Sequence, residues 1–198
     1  HRRTKWVAEP FPPEWATIID RRVPYIRHLH AEERKRLEDL MQVFLHEKHF
    51  EGCGGLTVTD EMKVTIAAQA CLLLLNMEHG FYDKLVSILI YPDAFVLHGL
   101  APGATRGTVE ETDLDAVGMS SERGVVAVSW KDVQVGAIGA GDGQNVVFHE
   151  FAHQLDQIDG AADGAPILDD RSRYRTWAQV LGAEYERLQR DVEAGRRS

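Results

Sequence analysis

Apolar residues recur at helical spacing in several stretches of the chain and gather into short continuous runs in two others. Leu37, Leu40, Met41, Phe44 and Leu45 form one helical stripe, while Glu32, Glu33, Arg34, Lys35 and Arg36 fill the turns before it. The spacing predicts an amphipathic helix over residues 31–49 with the charge run as its solvated face. Gly52, Gly54 and Gly55 break it, a short strand follows at 56–59, and Thr59 or Asp60 can cap the next helix, which runs through Asn76. Ala67, Ala70, Cys71, Leu74 and Leu75 make that helix central. Residues 85–91 read as the clearest strand, ended by Pro92-Asp93, with 94–97 extending it after the turn, and 125–130 read as a second. A loop over 135–143 containing four glycines leads to an apolar helix over 143–156. Residues 157–164 form a turn-rich loop, and Tyr174, Trp177, Leu181, Tyr185, Leu188 and Val192 mark a final helix.

The first 25 residues hold four of the seven prolines and two of the four tryptophans, which suggests an extended arm with a short helix near 14–19. The expected organisation is an arm over 1–30 packing on a single domain over 31–198. With 44% hydrophobic residues, 198 residues suffice for one good-sized core. The pattern is that of an α+β fold with a small mixed sheet and packed helices.

A net charge of −9 argues against a phosphate-backbone binder, so no direct nucleic-acid partner is expected. The two cysteines, Cys53 and Cys71, have neither metal-ligand spacing nor a disulfide framework, which fits a reducing compartment. The longest apolar run, 67–75, is broken by Gln69 and too short to span a bilayer, and the amino end does not read as a signal peptide. A soluble, cytoplasmic protein without a membrane partner is expected.

Residues 149–153 read His149-Glu150-Phe151-Ala152-His153, the H-E-x-x-H pattern. Histidines four apart share one helix face, so both imidazoles can reach one zinc ion (Zn2+), while Glu150 is placed to act as general base. The chemistry implied is metal-assisted hydrolysis, suited to peptide bonds. A chain of this composition is expected to hold roughly 0.03 accidental matches, so chance alone is a poor explanation. The apolar flank 145–148 and Leu155 predict a buried helix, in which the Glu150 charge would need a metal and its water as partner. The alternative is a core helix with incidental histidines.

A catalytic zinc ordinarily takes three protein ligands. Asp159 stands six residues after His153, a spacing used by one class of zinc peptidase, but Asp156 occupies the position where that class needs glycine. Asp156 falls on the face of the two histidines, as an orienting acceptor for a ring N–H or as part of the helix's C-terminal hydrogen bonding. Glu184 and Glu186 are better explained by a charged helix face. In His46-Glu47-Lys48-His49 a solvated helix terminus is expected, and His28, His30, His79 and His98 are read as structural or exposed. Strand 124–130 is either the sheet edge that pairs with an extended substrate or an ordinary central strand.

Residues 89–96 (Leu-Ile-Tyr-Pro-Asp-Ala-Phe-Val), the 125–130 strand, and 145–156 followed by Asp159-Gly160 and Asp163-Gly164-Ala165-Pro166 together resemble the Mlc titration factor A family of glucose-regulated zinc metallopeptidases. The likeness runs from about Trp15 to the end. It implies a zincin-like core of the gluzincin type, cytosolic aminopeptidase activity on peptides, and binding of the glucose repressor Mlc. By position it makes His149 and His153 metal ligands and Glu150 the catalytic base. It also implies a third ligand, a Glu on a downstream helix, preceded by a Tyr; these are expected beyond Ser198, with both ends of the chain reading as cut. The 198-residue stretch alone is then expected to bind zinc weakly. The competing reading is a non-catalytic regulatory protein that sequesters a transcriptional repressor.

Overall fold

The computed structural model describes residues 2–77, 81–102, 109–116, 118–121, 124–139, 143–157, 170 and 172–196. The chain divides into two compact units, 1–162 and 163–198. The first carries the sheet and most of the helices; the second carries one long helix.

The proline-rich start is helical rather than extended. Helices α1 (Arg2–Ala8) and α2 (Pro13–Arg22) are followed by a 3-10 turn, Pro24–His28. Pro13 at the first position of α2 supplies a preset φ at a place where its missing N–H is harmless. Ile19, Val23 and Ile26 are fully buried, so this segment belongs to the core. Arg3 fixes α1 by a bidentate contact to Glu47 (2.7 and 2.9 Å) and a bond to Asp83 (2.7 Å).

Helix α3 (Ala31–Glu47) follows the expected stripe, with Leu37, Leu40, Met41 and Phe44 inward. It stops two residues early because Lys48 is extended and His49 begins strand β1 (His49–Gly52). The expected strand at 56–59 does not form; that segment is a loop leading to helix α4 (Asp60–Leu72), capped by the Thr59 hydroxyl, which accepts from the Met62 N–H. Nine of the thirteen α4 residues are buried, which accounts for its lack of a polar face.

Strands β2 (Ser87–Tyr91), β5 (Gly118–Ser121) and β6 (Val125–Ser129) complete a four-stranded sheet with β1, in the order β1-β2-β6-β5. The first two pairings are parallel and β5 pairs antiparallel with β6. Strand β6 is therefore internal, the second of the two alternatives for residues 124–130, and its buried positions fit a strand covered on both faces. Among the described residues the edge of the sheet beside it is β5. Residues 94–97 do not extend β2: β3 (Phe95–Pro102) pairs with β4 (Val109–Ala116) in a separate antiparallel ribbon.

After β6 the chain turns at once into α5 (Trp130–Ile138), where a glycine-rich loop was expected. The Ser129 hydroxyl accepts from the Asp132 N–H (3.3 Å), and Gly139 ends the helix in the left-handed conformation. Helix α6 (Val146–Asp156) carries the H-E-x-x-H residues and packs on β5, β6, α4 and α5. The second unit contains α7 (Arg173–Glu193), with Val180, Leu181, Tyr185, Leu188 and Val192 exposed.

Candidate metal centre

Helix α6 is anchored from its inner face. Val147 and Phe151 are fully buried, and Phe151 meets Tyr82 (ring centroids 5.0 Å) and Phe44 (5.8 Å). These aromatic contacts add to the area that Phe151 buries. The opposite face carries His149 and His153, both exposed. The helix is thus amphipathic and not buried all round: residues 147, 150, 151 and 154 follow the inward stripe and leave the histidines outward. Glu150 lies on the inner stripe at 5% exposure. Burial raises its carboxyl pKa, opposed by the neighbouring His149.

The two imidazoles converge. Their rings are perpendicular (88°) and the Nε2 atoms stand 3.2 Å apart. Two nitrogens, each at about 2.0–2.1 Å from one tetrahedral ion, would be separated by about 3.3 Å. The pair therefore suits a shared zinc in spacing and donor chemistry. Among the described residues no group of three or more His, Cys, Asp or Glu side chains forms a ligand cluster.

The start of α6 is held by a network the sequence did not reveal. Asn145 caps the helix, its Oδ1 accepting from the Phe148 N–H at 2.9 Å. Its Nδ2 donates to Gln69 Oε1 (2.8 Å) on α4 and to the Gly136 carbonyl (3.1 Å) on α5. Gln69 is fully buried; its Nε2 donates to the Thr65 carbonyl (3.2 Å), and the Tyr25 hydroxyl donates to the same Oε1 at 3.4 Å. Two signals were present: Gln69 is the polar interruption of the 67–75 run, and Ser129-Trp130-Lys131-Asp132 has the S-x-x-D form that opens a helix. Gly136 permits the contact, since a Cβ there would stand 2.9 Å from Asn145 Cγ.

A cleft of about 550 Å³ opens beside α6, lined by Asp132 and Val135 of α5 and by Gln144, Phe148, His149 and Glu150 among others. It joins the inward Glu150 to solvent on the side of His149.

The remaining candidates fall elsewhere. Asp156 is half-buried at the end of α6, while Asp159 lies outside the described residues. Glu184 and Glu186 pair with Arg187 (3.5 Å) and Arg190 (3.9 Å) along α7 itself. The 46–49 segment is not a solvated terminus throughout: His46 stacks on Trp6 (4.8 Å), and Lys48 is buried, donating to the carbonyls of Tyr82 (2.7 Å) and Leu85 (2.9 Å). The strand after α3 draws Lys48 inward, where those carbonyls replace its water. The backbone N–H of His30 donates to the Glu33 carboxylate (2.9 Å) at the start of α3. His79 lies outside the described residues.

A helix with two converging imidazoles and an inward glutamate beside an open cleft has the donor types that metal-dependent hydrolases use. Over residues 1–198 the sequence matches the family of glucose-regulated metallo-peptidases M90, and the chain belongs to that family. It is 38% identical over 193 residues to an uncharacterised protein of Synechocystis sp., covering 97% of this chain and 70% of that protein. It is 30% identical over 172 residues to Mlc titration factor A of Klebsiella pneumoniae, covering 86% of this chain and 63% of the relative. With Mlc titration factor A of Escherichia fergusonii the identity is 28% over 193 residues, covering 95% and 71%. The chain thus spans roughly two thirds of the length of these relatives. Among the described residues no helix is long and apolar enough to cross a membrane.

Proposed function

We propose that this chain carries the metal-binding helix of a zinc-dependent peptidase, acting at the amino end of peptides in the cytoplasm. The observation that carries the reading is the 3.2 Å separation of the His149 and His153 Nε2 atoms on a helix whose His149 and Glu150 line a cleft. His149 and His153 would hold the ion, with the third ligand a carboxylate outside the described residues; Asp159 is one candidate, and a downstream Glu is what the family likeness implies. When bound, zinc would polarise the scissile carbonyl and render water nucleophilic at neutral pH. Glu150 takes the proton of the attacking water on its carboxylate and passes it to the leaving amine nitrogen. Asn145 holds the first turn of α6 so that this carboxylate faces the cleft. Strand β5, next to α6 and at the edge of the sheet among the described residues, is suited to pair with an extended peptide, one of the two roles weighed for strand 124–130.

The name of the Klebsiella relative favours a second role, binding of a repressor of the Mlc type. An acidic chain of net charge −9 complements a basic DNA-reading partner. One substitution separates the two. Glu150→Gln should retain zinc and repressor binding while peptide turnover falls by about two to four orders of magnitude, the usual worth of a general base. Undiminished turnover would exclude Glu150 as the base.

A further inference from the structure

We propose that the Asp132 carboxylate receives an ammonium group of the substrate in the cleft beside Glu150. The assignment rests on the peptidase reading and adds to it a substrate preference. Among the described residues that line the cleft there is no Lys or Arg, and the carboxylates are those of Asp132 and Glu150. Glu150 is committed to proton transfer in that reading, and Asp132 is the other carboxylate among the described lining residues, placed to bind a cation. Its neighbour Lys131 is engaged with Asp93 at 3.1 and 3.2 Å, so it does not serve as the counterion of Asp132. Nor does Asp132 enter a cluster of metal-ligating side chains with His149 and His153 among the described residues.

The surroundings strengthen the carboxylate as a receptor. Asp132 and Val135 lie three residues apart on one face of α5, and Val146 and Phe148 supply further apolar wall. Cavities that orient a ligand combine apolar lining with a few placed polar groups, and a charge-assisted bond in such a setting is stronger than one in open water. Asp132 also sits in the first turn of α5, where an acid favours the helix dipole. That role would alter stability without altering selectivity. The ammonium can come from the peptide's amino terminus or from a lysine side chain beside the scissile bond, two sources of one chemistry.

The test uses the zinc-loaded full chain and four peptides that cross a free or acetylated amino terminus with lysine or norleucine at the adjoining position. Wild type should favour the cationic member of one of these pairs, and that pair names the source of the ammonium. Asp132→Asn should cut kcat/KM for the favoured peptide about ten- to a hundredfold, chiefly through KM, and collapse the cationic-to-neutral ratio. Asp132→Glu should restore part of the ratio. Affinity of the favoured peptide for a Glu150→Gln chain, measured by calorimetry, should fall by a similar factor when Asp132→Asn is added. An unchanged ratio and affinity, with wild type turning over peptides, would overturn the assignment alone. Failure of wild type to turn over any of the four in the presence of zinc would overturn the peptidase reading and this assignment with it.

Discussion

The Asn145 amide nitrogen donates to Gln69 Oε1 at 2.8 Å, tying the first turn of α6 to a residue 76 positions earlier in the chain. Asn145→Ala removes the helix cap and leaves the buried Gln69 amide short of a donor. Loss of a cap costs about 1 kcal/mol, and leaving Gln69 Oε1 with only the long bond from the Tyr25 hydroxyl (3.4 Å) adds about 1–3 kcal/mol. Chemical denaturation should show a loss of about 2–4 kcal/mol for Asn145→Ala. Asn145→Asp, which keeps the acceptor for Phe148 but lacks the donors, should fall between. Independent losses in the Asn145→Ala, Gln69→Ala double mutant would mean that the bond is not a coupling element.

Gly136 faces Asn145 so closely that a methyl group must displace it. Gly136→Ala gains helix propensity, worth at most about 1 kcal/mol, but the clash should outweigh it with a net destabilisation of about 1–2 kcal/mol. Because the displaced group caps α6, peptide turnover should fall more than stability alone explains. Activity assays at a temperature where the variant remains folded separate the two effects.

The inward and outward faces of α6 predict opposite outcomes for neighbouring substitutions. Phe151→Ala empties a fully buried site between Phe44 and Tyr82 and should cost about 3–5 kcal/mol. His149→Ala and His153→Ala remove exposed rings and should change the metal-free stability by less than about 0.5 kcal/mol. Thermal unfolding of the three metal-free variants compares them directly.

Burial holds the Lys48 ammonium below its ordinary pKa of 10.5. The unfolded chain therefore binds more protons between the lowered folded value and 10.5. The contribution of Lys48 to stability is fully present above 10.5 and is lost as pH falls through the folded value. Denaturation between about pH 7 and pH 11 should show wild type gaining stability relative to Lys48→Met as the pH rises. A difference that stays flat, or narrows, would mean that Lys48 is not desolvated.

Periodicity revealed α3, α6 and α7 because each carries an apolar stripe or run at helical spacing, and β2 and β6 because covered strands read as short apolar runs. It did not reveal β4, whose Val-Glu-Glu-Thr-Asp-Leu-Asp-Ala sequence lacks an apolar alternation and which pairs in a two-stranded ribbon. Strand β1 begins where the apolar stripe predicts a helix end, because four residues are too few to show a period, and its place follows from pairing with β2. Helix α5 was hidden by Gly136, a residue chosen for the approach of Asn145 rather than for helix propensity. At the site, the spacing of His149 and His153 was legible as a shared face. The fixation of their helix by Gln69 was not, since a single amide within an apolar run does not announce its partner. Strand β5 is not legible either, because Gly-Met-Ser-Ser is too short to show an alternation; it pairs with β6 as a local hairpin, Ser121 opposite Val125, and makes β6 internal.

The central claim, that His149 and His153 share one zinc ion, is tested most directly by zinc affinity in competition with a chelator. Wild type is compared with His149→Ala and His153→Ala in the full chain. Removing either imidazole should weaken zinc binding by more than about a hundredfold, beyond the loss that follows when a ligand's supporting partner is removed. Zinc affinity unchanged in either variant would contradict the account.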